Sequence, residues 1–332
     1  MARIAINGLG RIGRAALRLI LDSKDLDLVA VNDIAPADNI AYLVKYDSVY
    51  GRYGEEVYAK DGTLYVDKKT FKFFSEKDPG ALPWKELKVD IVIESTGRFT
   101  EKEDAGKHIQ AGAKYVIISA PTKSEDVPTV VYGVNDSKIG DAVVSTASCT
   151  TNSLTPVIEV IGRNLGIQKA IMTTVHGYTA GQGIVDGPNK NLRRGRAGAI
   201  NIVPTSTGAA IATTKALPQY AGKFDGVALR VPVPVGSVSD VVILTEKNTT
   251  KEEVNEILTK EANGRYKDII SVTNDPIVSS DIIGDPHACI IDLQMTKVVD
   301  GNLLKIFAWY DNEWGYTNQM IRQAKDIAKD LK

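Results

Sequence analysis

Two residues of this chain have the types and surroundings for covalent chemistry. Cys149 lies in Ser148-Cys149-Thr150-Thr151-Asn152, after the apolar run 142–145 and before residues 154–161, whose spacing is helical. Pro156 suits the first turn of that helix, where a missing N–H costs little. Cys149 is therefore expected at a helix N-terminus, where the dipole and free N–H groups favour a thiolate nucleophile. The other cysteine, Cys289, sits in the apolar His287-Ala288-Cys289-Ile290-Ile291, the setting of an inert core thiol. Of the three histidines, His108 falls in a polar helical stretch and His287 follows the turn Gly284-Asp285-Pro286, so both read as surface residues. His176 ends the apolar run 170–175, where a functional side chain emerges from a sheet. An imidazole there can take a proton from the thiol or from a carbon–oxygen centre. The plainer alternatives are a structural thiol and a capped strand-end imidazole.

Anion-binding groups follow. Thr205-Ser206-Thr207-Gly208-Ala209-Ala210 is a hydroxyl-rich turn leading into an alanine-rich helix, suited to cradling a phosphate. Arg230 interrupts the apolar Val227-Ala228-Leu229-Arg230-Val231 and so needs a partner, either a ligand phosphate or an internal carboxylate. Near the start, Gly8-Leu9-Gly10-Arg11-Ile12-Gly13 is G-x-G-x-x-G between a strand and a helix. Gly8 permits the turn, Gly10 admits a pyrophosphate and Gly13 lets helix and sheet pack. Asp33 ends the next strand about 20 residues beyond Gly13, the spacing at which a carboxylate reaches an adenosine ribose. It accepts from a free 2′-hydroxyl and repels a 2′-phosphate, favouring NAD over NADP.

The elements that must carry these groups alternate in the first part. Strands at 3–6, 27–32, 90–94, 115–119 and 142–145 and helices at 12–21, 39–45 and 102–111 imply a parallel sheet with crossover helices. Residues 58–66 and 70–74 read as one hairpin turning at Lys68-Lys69. Beyond Asn152 the strands at 169–175, 226–233, 239–246, 287–294 and 303–309 look antiparallel, joined by a helix at 251–263 capped by Thr249 or Thr250. Residues 177–201 carry glycines and three arginines but no periodicity; such a long stretch reads as an ordered functional loop. The fold class is α/β: a Rossmann-type dinucleotide-binding domain at 1–148, then an α+β catalytic domain with a mainly antiparallel sheet at 149–314.

Composition narrows the class further. Hydrophobic residues make up 43% and charged residues 24%, an ordinary globular balance. Lys plus Arg number 40 against 41 for Asp plus Glu, so no global field favours nucleic acid or a membrane. No signal peptide or span of ~20 apolar residues is present. Two distant cysteines exclude a disulfide framework and point to a cytoplasmic protein. No metal is expected.

The segments around Cys149 and His176, with Thr174-Val175-His176-Gly177-Tyr178-Thr179, closely resemble the phosphorylating glyceraldehyde-3-phosphate dehydrogenase family. So do Lys45-Tyr46-Asp47-Ser48-Val49-Tyr50-Gly51, Arg230-Val231-Pro232 and the run from Trp309 to Tyr316. The resemblance implies attack of Cys149 on glyceraldehyde 3-phosphate, with His176 as base, oxidation to a thioester, and its cleavage by inorganic phosphate. It places the substrate phosphate on Thr179 and Arg230, and the attacking phosphate on Ser148, Thr150, Thr207 and Gly208. Arg11 and Ile12, in the turn of Gly8 and Gly10, would touch the pyrophosphate, Asp33 the ribose, and Lys77 and Ser119 would line the cofactor groove, with Asn312 on the nicotinamide carboxamide. It further implies a homotetramer in which loop 177–201 lies against a neighbour, and a C-terminal helix, 315–332, packed back on the first domain.

Three departures from the family pattern matter. Ser153 replaces a common second cysteine, so no local disulfide can form. Ala180-Gly181 stands where Asn-Asp is usual. Gly187-Pro188 replaces Leu-Pro, leaving room beside the ribose, so NAD is the expected cofactor with NADP also admitted. Two rivals remain at this point: a sister enzyme acting on erythrose 4-phosphate with water as the acyl acceptor, and a non-catalytic NAD-responsive binding protein.

Overall fold

The computed structural model describes residues 1–135 and 141–331. Positions 136–140 of the expected first domain, and Lys332 at the end of the expected C-terminal helix, lie outside the described residues. The chain divides into two compact units: Met1–Tyr132 with Asp136–Ala147 and Met320–Lys332, and Gly133–Asn135 with Ser148–Gln319.

The first unit is built on an eight-stranded sheet. Val143–Ser145, Tyr115–Ile118, Ile91–Glu94, Ala2–Asn7, Leu26–Asn32 and Lys69–Phe74 run parallel in that spatial order; Thr63–Val66 and Val57–Lys60 complete the edge antiparallel. Their β-branched side chains supply the core: Ile4, Ile6, Ile91, Ile93 and Ile117 are fully buried. Helix Arg11–Leu21 turns Ala16, Leu17 and Ile20 onto this core, and Met320, Ile321, Ala324, Ile327 and Ala328 of the final helix, Trp314–Asp330, bury in it too. Ala2–Asn7 has Leu26–Asn32 on one side and Ile91–Glu94 on the other, so the strand order reverses there. Ligand crevices form outside the carboxyl ends of strands at such a switch point.

Two sequence expectations fail in this unit. Residues 58–66 are not one strand but two, reversed at Asp61-Gly62, whose φ values of 47° and 70° form the left-handed turn that an Asp-Gly pair signals. His108 is not a surface residue. Its helix, Lys102–Gln110, is polar overall, but Ala105 and His108 face inward and the imidazole is 0% exposed.

The second unit carries a mainly antiparallel sheet in the order Val203–Ser206, Phe224–Val231, Ile167–Gly177, Ser237–Thr245, Leu303–Tyr310, Cys289–Asp292, Ile270–Thr273. Two pairings within it are parallel: Ile167–Gly177 with Phe224–Val231, and Ile270–Thr273 with Cys289–Asp292. Helices Cys149–Leu165, Ala209–Ala216 and Lys251–Asn263, the last capped by Thr250, pack against its strands. The nucleophile's helix starts five residues before the helical run at 154–161. Pro156 therefore lies in its interior, not its first turn, and removes the bond its N–H would have donated to Asn152. The helix persists because Leu154, Val157, Ile158, Val160 and Ile161 are all buried, and packing outweighs one lost bond. Loop 177–201 is ordered by its own backbone, with Gly187 N–H donating to Gly195 O (2.8 Å) and Gly198 N–H to Gly183 O (3.0 Å).

Candidate active site

Backbone geometry puts the nucleophile where it is. Ala147 adopts φ +55°, a left-handed conformation that costs a non-glycine residue about 1–2 kcal/mol, and the chain then enters the helix. Ser148 caps that helix, its Oγ accepting from Thr151 N–H (3.1 Å) and lying 2.8 Å from Thr151 Oγ1. Cys149 is thus the first helical residue, half-buried, with backbone N–H groups of the first turn beside its sulfur.

Sheet register brings the other two groups to it. His176, one residue from the end of Ile167–Gly177, pairs with Arg230 on the parallel neighbour, and Arg230 pairs with Val203 on its other side. His176 Nε2 stands 3.3 Å from Cys149 Sγ. Its Nδ1 is 2.7 Å from Gly177 O. A carbonyl only accepts, so the Gly177 contact calls for the proton on Nδ1 with the Nε2 lone pair toward the thiol, the arrangement a base needs, whereas Arg230, a donor against the same Nδ1, opposes it. Arg230 also donates to Gly177 O (3.1 Å) and crowds the same Nδ1. Burial first, and this neighbouring cation second, push the His176 pKa down to about 3.

The thiol moves the opposite way. Burial pushes the Cys149 pKa up, against the opposing pull of Arg230, the Thr150 hydroxyl and the first-turn N–H groups. This corrects the expectation that the helix start alone favours a thiolate: desolvation outweighs the dipole here. Desolvation disfavours the thiolate and the imidazolium alike when each is formed alone. Moving the proton across 3.3 Å creates both charges together, and each then stabilises the other.

Of the expected anion groups, Arg230 and Thr150 lie against this pair. Among the described residues Arg230 has no carboxylate partner, which removes one of its two sequence readings. Arg194, which sequence reasoning passed over, is anchored by Thr205 Oγ1 (2.8 Å) and Ser206 O (3.4 Å); burial lowers the Arg230 pKa most, and the nearby Arg194 cation pushes the same way more weakly. Two cations sharing a site without a carboxylate suit an anionic ligand. Thr207 Oγ1 accepts from Ala209 N–H (3.2 Å), and Gly208 caps the helix with open space where a Cβ would lie. Thr179 is exposed at the head of the loop, its N–H reaching Gln182 Oε1 at 3.4 Å. Thr150 is buried and its hydroxyl bonds Tyr310 (2.9 Å), which also bonds Thr174 (2.7 Å). Asn312 Oδ1 accepts from Ser237 Oγ (2.9 Å) and Gly236 N–H (3.2 Å), which aims the amide and leaves Nδ2 to donate.

In the first unit, a cavity of about 500 Å³ opens at the strand switch point. Gly8, Gly10, Asp33 and Lys77 line it; Arg11, Ile12 and Ser119 do not. Arg11 is turned to Asp47 (2.5 Å) and lies over Tyr50, while Ile12 packs on the core. Asn7, Asn32, Ile34, Glu76, Thr96, Arg98 and Phe99 also line the cavity and were not anticipated. Asn7 and Asn32 carried a usable signal, being polar ends of apolar strands. The cradle fits a dinucleotide. A Cβ on Gly13 would fall 1.9 Å from Gly8 O and one on Gly8 2.7 Å from Thr96 N, whereas one on Gly10 would meet nothing within 4 Å. Gly8 and Gly13 are required for close packing, and Gly10 leaves space for a pyrophosphate. Asp33 is held by Leu9 N–H (2.7 Å) and Ala35 N–H (2.8 Å).

Comparison with known proteins agrees with both halves. Residues 2–102 match the family model for the glyceraldehyde 3-phosphate dehydrogenase NAD binding domain, and residues 148–312 that for the C-terminal domain. Glyceraldehyde-3-phosphate dehydrogenase 2 of Streptomyces avermitilis is 52% identical over 323 residues, 96% of each chain. The glyceraldehyde-3-phosphate dehydrogenases of Geobacillus stearothermophilus and Haloarcula vallismortis are each 48% identical over 98% of both chains.

Proposed function

The chain belongs to the glyceraldehyde-3-phosphate dehydrogenase family, and on that footing we propose that it oxidises glyceraldehyde 3-phosphate to 1,3-bisphosphoglycerate, with NAD and inorganic phosphate as co-substrates. The observation that carries this is Cys149 Sγ 3.3 Å from His176 Nε2, beside an arginine that lacks a carboxylate partner. Sγ attacks the aldehyde carbon as its proton passes to Nε2 and on to the oxygen, giving a thiohemiacetal. His176 then takes the hydroxyl proton as the C–H bond breaks. NAD, when bound, supplies the two-electron acceptor. The thioester left on Cys149 is attacked by phosphate, and the sulfur departs as thiolate beside the imidazolium. Thr179 and Arg230 hold the substrate phosphate, Ser148, Thr150, Thr207 and Gly208 receive the attacking one, and Asn312 Nδ2 orients the carboxamide. Residues 1–148 and the C-terminal helix carry the cofactor, and 149–314 the chemistry.

Phosphate dependence tests this reading. NADH formation from glyceraldehyde 3-phosphate should stall after one equivalent per active site without phosphate and resume when it is added. Sustained turnover without phosphate would instead indicate hydrolysis, the outcome the erythrose-4-phosphate reading requires.

A homotetramer is supported by Ile184, Leu192 and Ile200 of loop 177–201, which are 80–85% exposed, together with exposed Ile171, Ile202 and Val227. A monomer rarely leaves so much apolar surface wet. Light scattering at about four times 35.9 kDa would agree. No helix among the described residues is long and apolar enough to cross a membrane.

A further inference from the structure

Behind the dinucleotide cavity lies a buried polar chain that the reaction does not use. Glu94, at the carboxyl end of Ile91–Glu94, is 2% exposed. Its Oε1 accepts from Thr96 N–H (2.8 Å) and from the Thr96 hydroxyl. Its Oε2 accepts from Asn7 Nδ2 (2.5 Å) and lies 3.2 Å from His108 Nε2. Asn7 Oδ1 in turn accepts from Asn32 Nδ2 (2.7 Å), and Asn32 Oδ1 from Glu76 N–H (2.8 Å). Thr96, Asn7, Asn32 and Glu76 all line the cavity; Glu94 and His108 do not. Glu94 therefore holds two lining residues directly, Thr96 and Asn7, and through Asn7 is linked to Asn32 and Glu76, so the chain joins two strand ends and two loops.

The imidazole's state follows from its other partner. Trp84 Nε1, buried at 0% exposure, lies 2.9 Å from His108 Nδ1. An indole N–H only donates, so Nδ1 must be the bare nitrogen and Nε2 carries the proton, directed at Glu94. The 3.4 Å approach of Asn7 Nδ2 to Nε2 then joins two donors and adds nothing.

We infer that His108 is a positioning residue for the dinucleotide site: locked by Trp84 as the Nε2–H tautomer, it holds Glu94, and through Glu94 the cavity-lining Asn7 and Thr96. Buried networks of this kind rigidify when every member is satisfied and loosen when one donor is removed. His108 never touches the cofactor. Its effect is on how well the empty site is organised, so it belongs to binding and not to the chemical step.

The test uses the whole protein. His108→Phe fills the space but leaves Glu94 one donor short and the indole unpaired. Calorimetric titration with NAD should show about tenfold weaker binding, the equivalent of about 1.4 kcal/mol, with a matching rise in the Michaelis constant for NAD. Turnover at saturating NAD should stay within about twofold. His108→Gln, whose amide N–H can stand in for Nε2–H, should recover NAD affinity to within about threefold. A folded His108→Phe that binds NAD like wild type, or a loss in binding and turnover alike that Gln does not rescue, overturns the inference. A wild-type measurement guards against misfolding of the variants: solid-state nitrogen spectra of histidine-labelled protein, with His287→Asn to assist assignment, should show His108 protonated at Nε2 and bare at Nδ1. Protonation at Nδ1 would also overturn it.

Discussion

Arg230→Ala separates an anion-binding arginine from a structural one. Among the described residues only one of its terminal nitrogens is engaged, donating to Gly177 O and lying against His176 Nδ1, and no carboxylate neutralises it. The remaining N–H groups are available to a phosphate. Losing one charge-assisted contact costs about 1.5–3 kcal/mol, or roughly one to two decades in affinity. The substitution has a second effect, because Arg230 pulls the Cys149 thiol down and pushes the His176 imidazole down. Removing it raises both, and that change acts on every aldehyde alike. The two effects separate in a ratio: kcat/KM for glyceraldehyde 3-phosphate divided by kcat/KM for unphosphorylated glyceraldehyde. The shared loss cancels, and the ratio should fall tenfold to a hundredfold. An unchanged ratio, with both substrates losing equally, would show that Arg230 only supports His176.

Cys149→Ser should abolish oxidation while NAD binding by calorimetry persists, and His176→Asn should leave slow activity with thiol alkylation displaced to higher pH; unaltered alkylation at pH 7 would break the pairing. Folding should also report on His176. Its folded pKa is depressed to about 3, so the unfolded chain binds a proton first; the stabilisation is complete above ~6.5 and is lost as pH falls through that value, about 2 kcal/mol by pH 5. Denaturant midpoints for His176→Asn should therefore change less between pH 7 and 5 than those of wild type. For cofactor choice, Asp33 cannot rotate from the ribose without giving up Leu9 N–H and Ala35 N–H, so kcat/KM should favour NAD by about a decade or more. Asp33→Gly should narrow that gap. Gly187→Leu, whose Cβ would meet nothing within 4 Å on its own chain, should widen it, and no change in the ratio would dismiss the open-space argument.

The parts of the site that were legible in sequence are those whose signal is local. Gly8, Gly10 and Gly13 announce a turn, and Cys149 among hydroxyls announces a helix start. The pairing of His176 with Arg230 depends on register between strands 54 residues apart, which no local pattern encodes. His108 misleads because seven of the other eight residues of its helix are polar or small and mask two inward positions, Ala105 and His108; only the face of the helix, not its composition, reveals burial. Pro156 was misplaced for a related reason, since sequence rules put proline at helix starts while a fully packed helix tolerates it inside. The direction of the Cys149 shift was missed because desolvation is a property of the assembled site and not of the helix.

Ser153 sits one turn along the nucleophile's helix, fully buried, with its hydroxyl unpaired among the described residues. Its presence decides what happens to Cys149 after an encounter with peroxide. A sulfenic acid needs a resolving thiol to be trapped as a disulfide. Serine cannot provide one, and Cys289 is sealed at 0% exposure with its thiol pushed up by burial. Repair of the oxidised nucleophile therefore depends on a thiol supplied from outside the chain. Where no such thiol is at hand, oxidation proceeds to the irreversible acids, and the protein's working lifetime is set by its surroundings.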